Sequence, residues 1–86
     1  MGLQASNFSV GTVAVLIAPA DSNPQSIHIH NNSEHTIYVG SSNVTTTTGL
    51  NILKQQTEEF FLVPGDNLFA IADGASRDVR VLRLSK

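Results

Sequence analysis

The stretch Phe60-Phe61-Leu62-Val63-Pro64-Gly65-Asp66-Asn67-Leu68-Phe69-Ala70-Ile71 sets two short apolar runs on either side of a Pro-Gly-Asp turn. A strand with one wet face alternates apolar with polar residues, whereas a continuous apolar run marks a strand covered on both sides. Both runs are of the second kind, and their order predicts an antiparallel hairpin. A third such run, Val13-Ala14-Val15-Leu16-Ile17, lies nearer the N-terminus. At 86 residues a single core is only marginally sufficient, so the chain cannot cover both faces of three strands from its own material. The surplus apolar positions, Leu16, Phe61, Phe69, Ile71 and Leu82, are therefore expected to form a subunit interface.

Working outward, residues 10–18 read as one strand, ended by the turn formers of Pro19-Ala20-Asp21-Ser22-Asn23-Pro24. Ser26 to Asn31 alternates, with Ile27 and Ile29 on one face and Ser26, His28 and His30 on the other. After Asn31-Asn32-Ser33-Glu34 the strand Thr36 to Gly40 is expected to pair back as a hairpin partner through Ile37 and Val39. Ser41 to Thr48 is a hydroxyl-rich loop or edge. Leu50 to Glu59 is expected to be extended, although Leu50, Leu53, Thr57 and Phe60 also approach a helical spacing. In the closing strand, Asp78 to Leu84, Val79 and Val81 share one face while Leu82 and Leu84 share the other, which predicts a bulge or a face change at a subunit boundary. Several short strands divided by turns predict an all-β fold: a small antiparallel β-sandwich or compact, jelly-roll-like barrel of about six to seven strands. Residues 10–86 form the single domain, preceded by an N-terminal arm at 1–9 whose Leu3 and Phe8 are its anchoring residues.

Charged residues make up 14% of the chain, well below the roughly 25% of ordinary soluble domains. A net charge of −2 disfavours nucleic acid as a partner, since phosphate neutralisation needs a concentrated basic surface. No stretch is long and apolar enough for a bilayer helix, and the N-terminus lacks the basic start of an export signal, so no membrane partner is expected. Met1-Gly2-Leu3-Gln4-Ala5-Ser6 fits the myristoylation pattern, but no polybasic neighbour supplies the second signal that stable anchoring needs. The absence of cysteine removes disulfides and thiolate metal sites.

The strongest enzymatic lead is His28-Ile29-His30, followed by Glu34 and His35. Alternation puts both imidazoles on one strand face, a sound geometry for a divalent metal, and the stretch is similar to the first metal motif of cupins. The leading glycine of that motif falls on Ser22, and no histidine follows His35 to complete the set. No nucleophile elbow or phosphate-binding glycine pattern is present, and Glu58-Glu59 point to opposite faces of a strand. Neither catalytic residues nor a cofactor is expected. His28, His30 and Tyr38 remain as surface recognition residues, and with the Thr45 to Thr48 loop they would suit a carbohydrate-binding or adhesin module. Asn31-Asn32-Ser33 and Asn43-Val44-Thr45 match the glycosylation sequon.

Four segments together resemble small all-β virion proteins of tailed bacteriophages: Ser26-Ile27-His28-Ile29-His30-Asn31-Asn32-Ser33, Thr36-Ile37-Tyr38-Val39-Gly40-Ser41-Ser42-Asn43-Val44-Thr45-Thr46, Val63-Pro64-Gly65-Asp66-Asn67-Leu68-Phe69-Ala70-Ile71-Ala72 and Asp78-Val79-Arg80-Val81-Leu82. The resemblance implies a β-sandwich framework without a reaction. It implies a structural role, capsid decoration or cement, in which a homo-oligomer, expected as a trimer, binds the major capsid protein on the outer surface of the virion head. Tail, head-fibre and head-tail connector parts are the alternatives within that group. The protein would be made in the bacterial host cytoplasm, and Leu3 and Phe8 would lie on the arm that contacts the capsid. The Leu50 to Glu59 segment departs from the pattern by lacking a Gly-rich turn.

Overall fold

Val63-Pro64-Gly65-Asp66 closes as a tight turn, with the Asp66 amide donating to the Val63 carbonyl at 3.1 Å. Pro64 presets the first central position, and Gly65 at φ 90° takes a conformation that a side chain would strain. The segments this turn joins nevertheless enter different sheets. In the computed structural model, which describes residues 2–85, the elements are β1 (Gly2–Val10), β2 (Val15–Ala18), β3 (Gln25–Asn31), β4 (Ile37–Gly40), β5 (Leu50–Ile52), β6 (Thr57–Leu62), β7 (Leu68–Ala72) and β8 (Arg77–Ser85). They form two four-stranded sheets, ordered β1-β8-β3-β6 and β2-β7-β4-β5, and every pairing is antiparallel.

This is the double-sheet jelly-roll arrangement. The chain changes sheet at every connection except β4 to β5, which corrects both expected hairpins. Strand β3 pairs with β6 and β8 and not with β4; β6 pairs with β3 and not with β7. Alternation identifies the face a strand buries, but it carries no information about the neighbouring strand. The single strand expected over residues 10–18 is also divided. The chain crosses between sheets at Gly11, whose carbonyl accepts from the Ala72 amide at 2.7 Å, and Val13 is left exposed in the crossing.

Residues 2–9, expected within an arm, form an edge strand together with Val10. They pair with β8 without interruption from Gly2↔Ser85 to Val10↔Arg77. Phe8, expected to contact a capsid, packs instead against the core of its own chain. Its position opposite Val79 turns the ring inward. The missing signal is understandable, because an edge strand needs few apolar residues: Phe8 and Val10 suffice to hold β1 on the sandwich. With β1 and the short β5, the strand count rises to eight. Residues 50–59 are extended apart from a turn, as expected.

The core between the sheets is aliphatic. Ile27 and Ile29 of β3, Ile37 and Val39 of β4, and Val79 and Val81 of β8 meet Ile17, Ile52, Ala70 and Ala72. Burying each isoleucine or valine supplies roughly 1.5–3 kcal/mol. The unbroken register of β8 shows no bulge. Its two apolar pairs belong to opposite faces of a regular strand, Val79 and Val81 inside and Leu82 and Leu84 outside.

Asn31, at the end of β3, is fully buried at 0% exposure. Its Nδ2 lies within hydrogen-bonding distance of the carbonyls of His35 (2.6 Å), Ile52 (3.0 Å) and Leu53 (3.2 Å). Its Oδ1 accepts from the Ser33 amide and hydroxyl. One side chain thus ties the β3–β4 turn to the end of β5. The adjacent Asn32 donates through Nδ2 to Asp78 Oδ2 at 2.8 Å, and its amide donates to the Asp78 carbonyl. The Asn-Asn pair is therefore a structural clasp, and a buried Asn31 amide is incompatible with a glycan in the folded chain.

The Asn32 hydrogen bond, followed by the neighbouring Arg80 charge, holds the Asp78 carboxyl below its ordinary value of 3.8. A carboxyl lowered by folding stabilises above its unfolded value, and that contribution is lost as pH falls through the folded one. Asp78→Asn should flatten the loss of stability below about pH 4. Urea midpoints measured across pH 2–6 that fall equally steeply for variant and parent would count against this clasp.

Candidate interaction surfaces

Opposed residues in an antiparallel pair point to the same face, so the registers define what each sheet presents to its surroundings. On the outer face of β1-β8-β3-β6, one row runs Leu3, Leu84, Ser26, Phe61. Leu3 is 67% exposed and Phe61 62% exposed, at the two edges of the sheet. Ser26 between them is buried, as a small residue becomes where larger neighbours in its row lean over it. The next row runs Ala5, Leu82, His28, Glu59, with Leu82 38% exposed. An apolar patch thus spans all four strands at one end of this sheet.

The remainder of that face is polar. His28 Nε2 lies 3.6 Å from Glu59 Oε2, and His30 Nδ1 shares a 2.9 Å hydrogen bond with Thr57 Oγ1. Arg80, opposite His30, pairs with Asp78 at 3.5 Å. A shallow groove of about 200 Å³ lies over Ala5, His28, His30, Thr57 and Leu82. Among the described residues, no group of three or more His, Cys, Asp or Glu side chains could hold a metal ion. Glu34 and His35 lie on the β3–β4 turn, away from the outward row of His28 and Glu59.

The outer face of β2-β7-β4-β5 carries Leu16 opposite Phe69, and Ile71 opposite Tyr38. Leu16 is 40% exposed, and Phe69, Ile71 and Tyr38 are half-buried. Tyr38 packs under the β4–β5 loop: a side chain added at Gly49 would meet the Tyr38 Cβ at 2.7 Å and a Val44 methyl at 2.8 Å. Val44 itself is buried, so the hydroxyl-rich loop is anchored by one apolar plug.

All five expected interface residues therefore point away from the core, but they divide between two faces: Phe61 and Leu82 on one, Leu16, Phe69 and Ile71 on the other. The expected recognition residues divide in the same way. His28 and His30 are outward on β3 and Tyr38 outward on β4, so they stand on opposite sides of the sandwich and no joint glycan site is assembled. Leu3 keeps an exposed position on the same outward row as Phe61, although on a strand and not on an arm. Leu84 belongs to this surface as well; its signal was the i, i+2 spacing from Leu82 on a strand whose other face already fills the core.

The strand order defines the chain as a jelly-roll β-sandwich, and solved structures bear on that class. A structure from work on Bacillus endospore appendages, described as a novel family of disulfide-linked pili, is similar over 98% of this chain and 85% of the other, with a TM-score of 0.63 and 12% sequence identity. At that identity the likeness concerns the fold. No protein-family model matches the chain, and no curated protein sequence matches it.

Proposed function

We propose that this chain is a structural subunit that works by association, with outer sheet faces that meet neighbouring subunits in a larger assembly. The observation that supports it most is the apolar row Leu3, Leu84, Phe61 with Leu82 beside it, lying outside a core that is already complete. A monomer gains nothing from leucine and phenylalanine in solvent, whereas an interface gains roughly 25 cal/mol for each Å² of apolar area covered. The outer face of β2-β7-β4-β5 presents Leu16, Phe69, Ile71 and Tyr38 without a charge among them, which lowers the desolvation cost of contact there. The similar pilus structure supports self-assembly as a use for this fold. A disulfide-linked polymer is outside the chemistry of this chain, which has no cysteine.

Within that class, the resemblance to phage virion proteins favours decoration of a capsid. A subunit that binds only the assembled shell stabilises it by mass action. The test is native mass measurement of the purified protein, combined with its copy number per purified virus particle. Decoration predicts an oligomer in solution and hundreds of copies per particle, and a ring-shaped connector about a dozen. A monomer at micromolar concentration, absent from particles, would overturn the proposal.

A further inference from the structure

Sheet edges offer unpaired backbone groups to any strand that approaches, and folded proteins guard them with short strands, charges, prolines or bulges. Three of the four edges of this sandwich are guarded. Strand β2 has four residues, a register shift between Leu16 and Ala18, and Pro19 directly after it. Strand β5 has three residues. Strand β6 carries Glu58 and Glu59, and Glu58, exposed although it falls opposite the buried Ile29, sets a charge on the core-side face of that edge. Strand β1 has none of these devices: it runs nine residues without charge or proline, and its register with β8 is unbroken.

We infer that β1 is a self-pairing edge, lying antiparallel beside β1 of a second copy and joining two four-stranded sheets into one of eight. This rests on the proposed role as an associating subunit and names the contact. The second copy is the partner that fits. Nine extended residues face nine of equal length, and an uncharged strand set against itself places no like charges in opposition. The other edges of this chain cannot serve, for the reasons given above. The joint is isologous, so assemblies built on it have even numbers of subunits. The threefold oligomer that the phage resemblance implies would not use it.

The geometry makes a strict demand. With both outer faces on the same side of the joined sheet, the two-fold axis stands perpendicular to it, and one residue of β1 must lie directly opposite its own copy. Opposed Cβ atoms in antiparallel strands are about 4.5–5.5 Å apart, close enough for a disulfide after a small adjustment. Cysteine is absent from the chain, so each single substitution supplies the sole thiol.

The experiment replaces each of residues 3–9 in turn by cysteine in the full chain, followed by mild oxidation and non-reducing electrophoresis. One position, with weaker neighbours, should convert most of the protein to a covalent dimer, while Ser22→Cys, an exposed loop control, should not. Equal cross-linking at every position, or none at any, would overturn the β1 contact. An odd-numbered native oligomer without cross-linking would overturn it and leave the associating role standing. A native monomer that never cross-links and is absent from virus particles would overturn both. Repeating the best position in a Phe61→Glu background should preserve the dimer, because Phe61 lies on the far edge of the sheet; its loss there would assign the contact to the faces.

Discussion

Asn31→Leu should cost about 2–4 kcal/mol of unfolding free energy, because it keeps the volume, removes the buried Nδ2 donor that faces the carbonyls of His35, Ile52 and Leu53, and removes the acceptor of Ser33. A domain of this size holds roughly 5–10 kcal/mol in total, so the variant should unfold at a far lower urea concentration than the parent, with an unchanged slope. Asn31→Asp should be worse at pH 7, since it directs a carboxylate at carbonyl oxygens in a site with no solvent. Its deficit should shrink in acid, where the neutral carboxyl can donate one hydrogen bond. A Leu variant within 0.5 kcal/mol of the parent, about the spread of ordinary surface changes, would mean that the Asn31 clasp does not hold the two turns together.

The paired change Phe61→Glu with Leu82→Glu should abolish every species larger than a dimer without unfolding the chain. Both side chains are exposed in the single subunit, so each change alone should alter monomer stability by less than about 0.5 kcal/mol. In an assembly, the same positions would bury a carboxylate against apolar surface. That penalty, roughly 2–4 kcal/mol, corresponds to an association about 30- to 1,000-fold weaker. Sedimentation velocity and far-ultraviolet circular dichroism read the two quantities separately. Large oligomers that persist would remove the outer face from the interface, and a loss of β-signal would mean that these residues support the fold itself.

Much of the sandwich was legible from residue order because its physics is local. Ile27 with Ile29, Ile37 with Val39, and Val79 with Val81 announce buried faces by a spacing of two, and Pro64-Gly65 announces a turn. The surplus apolar positions were legible for the same reason. Phe61 follows Phe60, and Leu82 follows Val81, so one member of each pair must face outward on any regular strand. Strand β1 was obscure because its few apolar residues leave no pattern, and Asn31 looked like an ordinary turn former because nothing in sequence distinguishes an exposed asparagine from a buried one with five hydrogen-bonding partners.

Residue order alone dictates the β class, the core faces and the excess of outward apolar side chains, since these follow from side-chain direction along a single strand. The tertiary structure alone decided which strands are neighbours. Pairing is a contest among backbones that all carry the same hydrogen-bonding groups, and it is settled by which complete arrangement buries every apolar face at once. That arrangement sends the chain across the sandwich at nearly every turn. It places His28 and Tyr38 on opposite sides and leaves β1, with its open edge, on the outside.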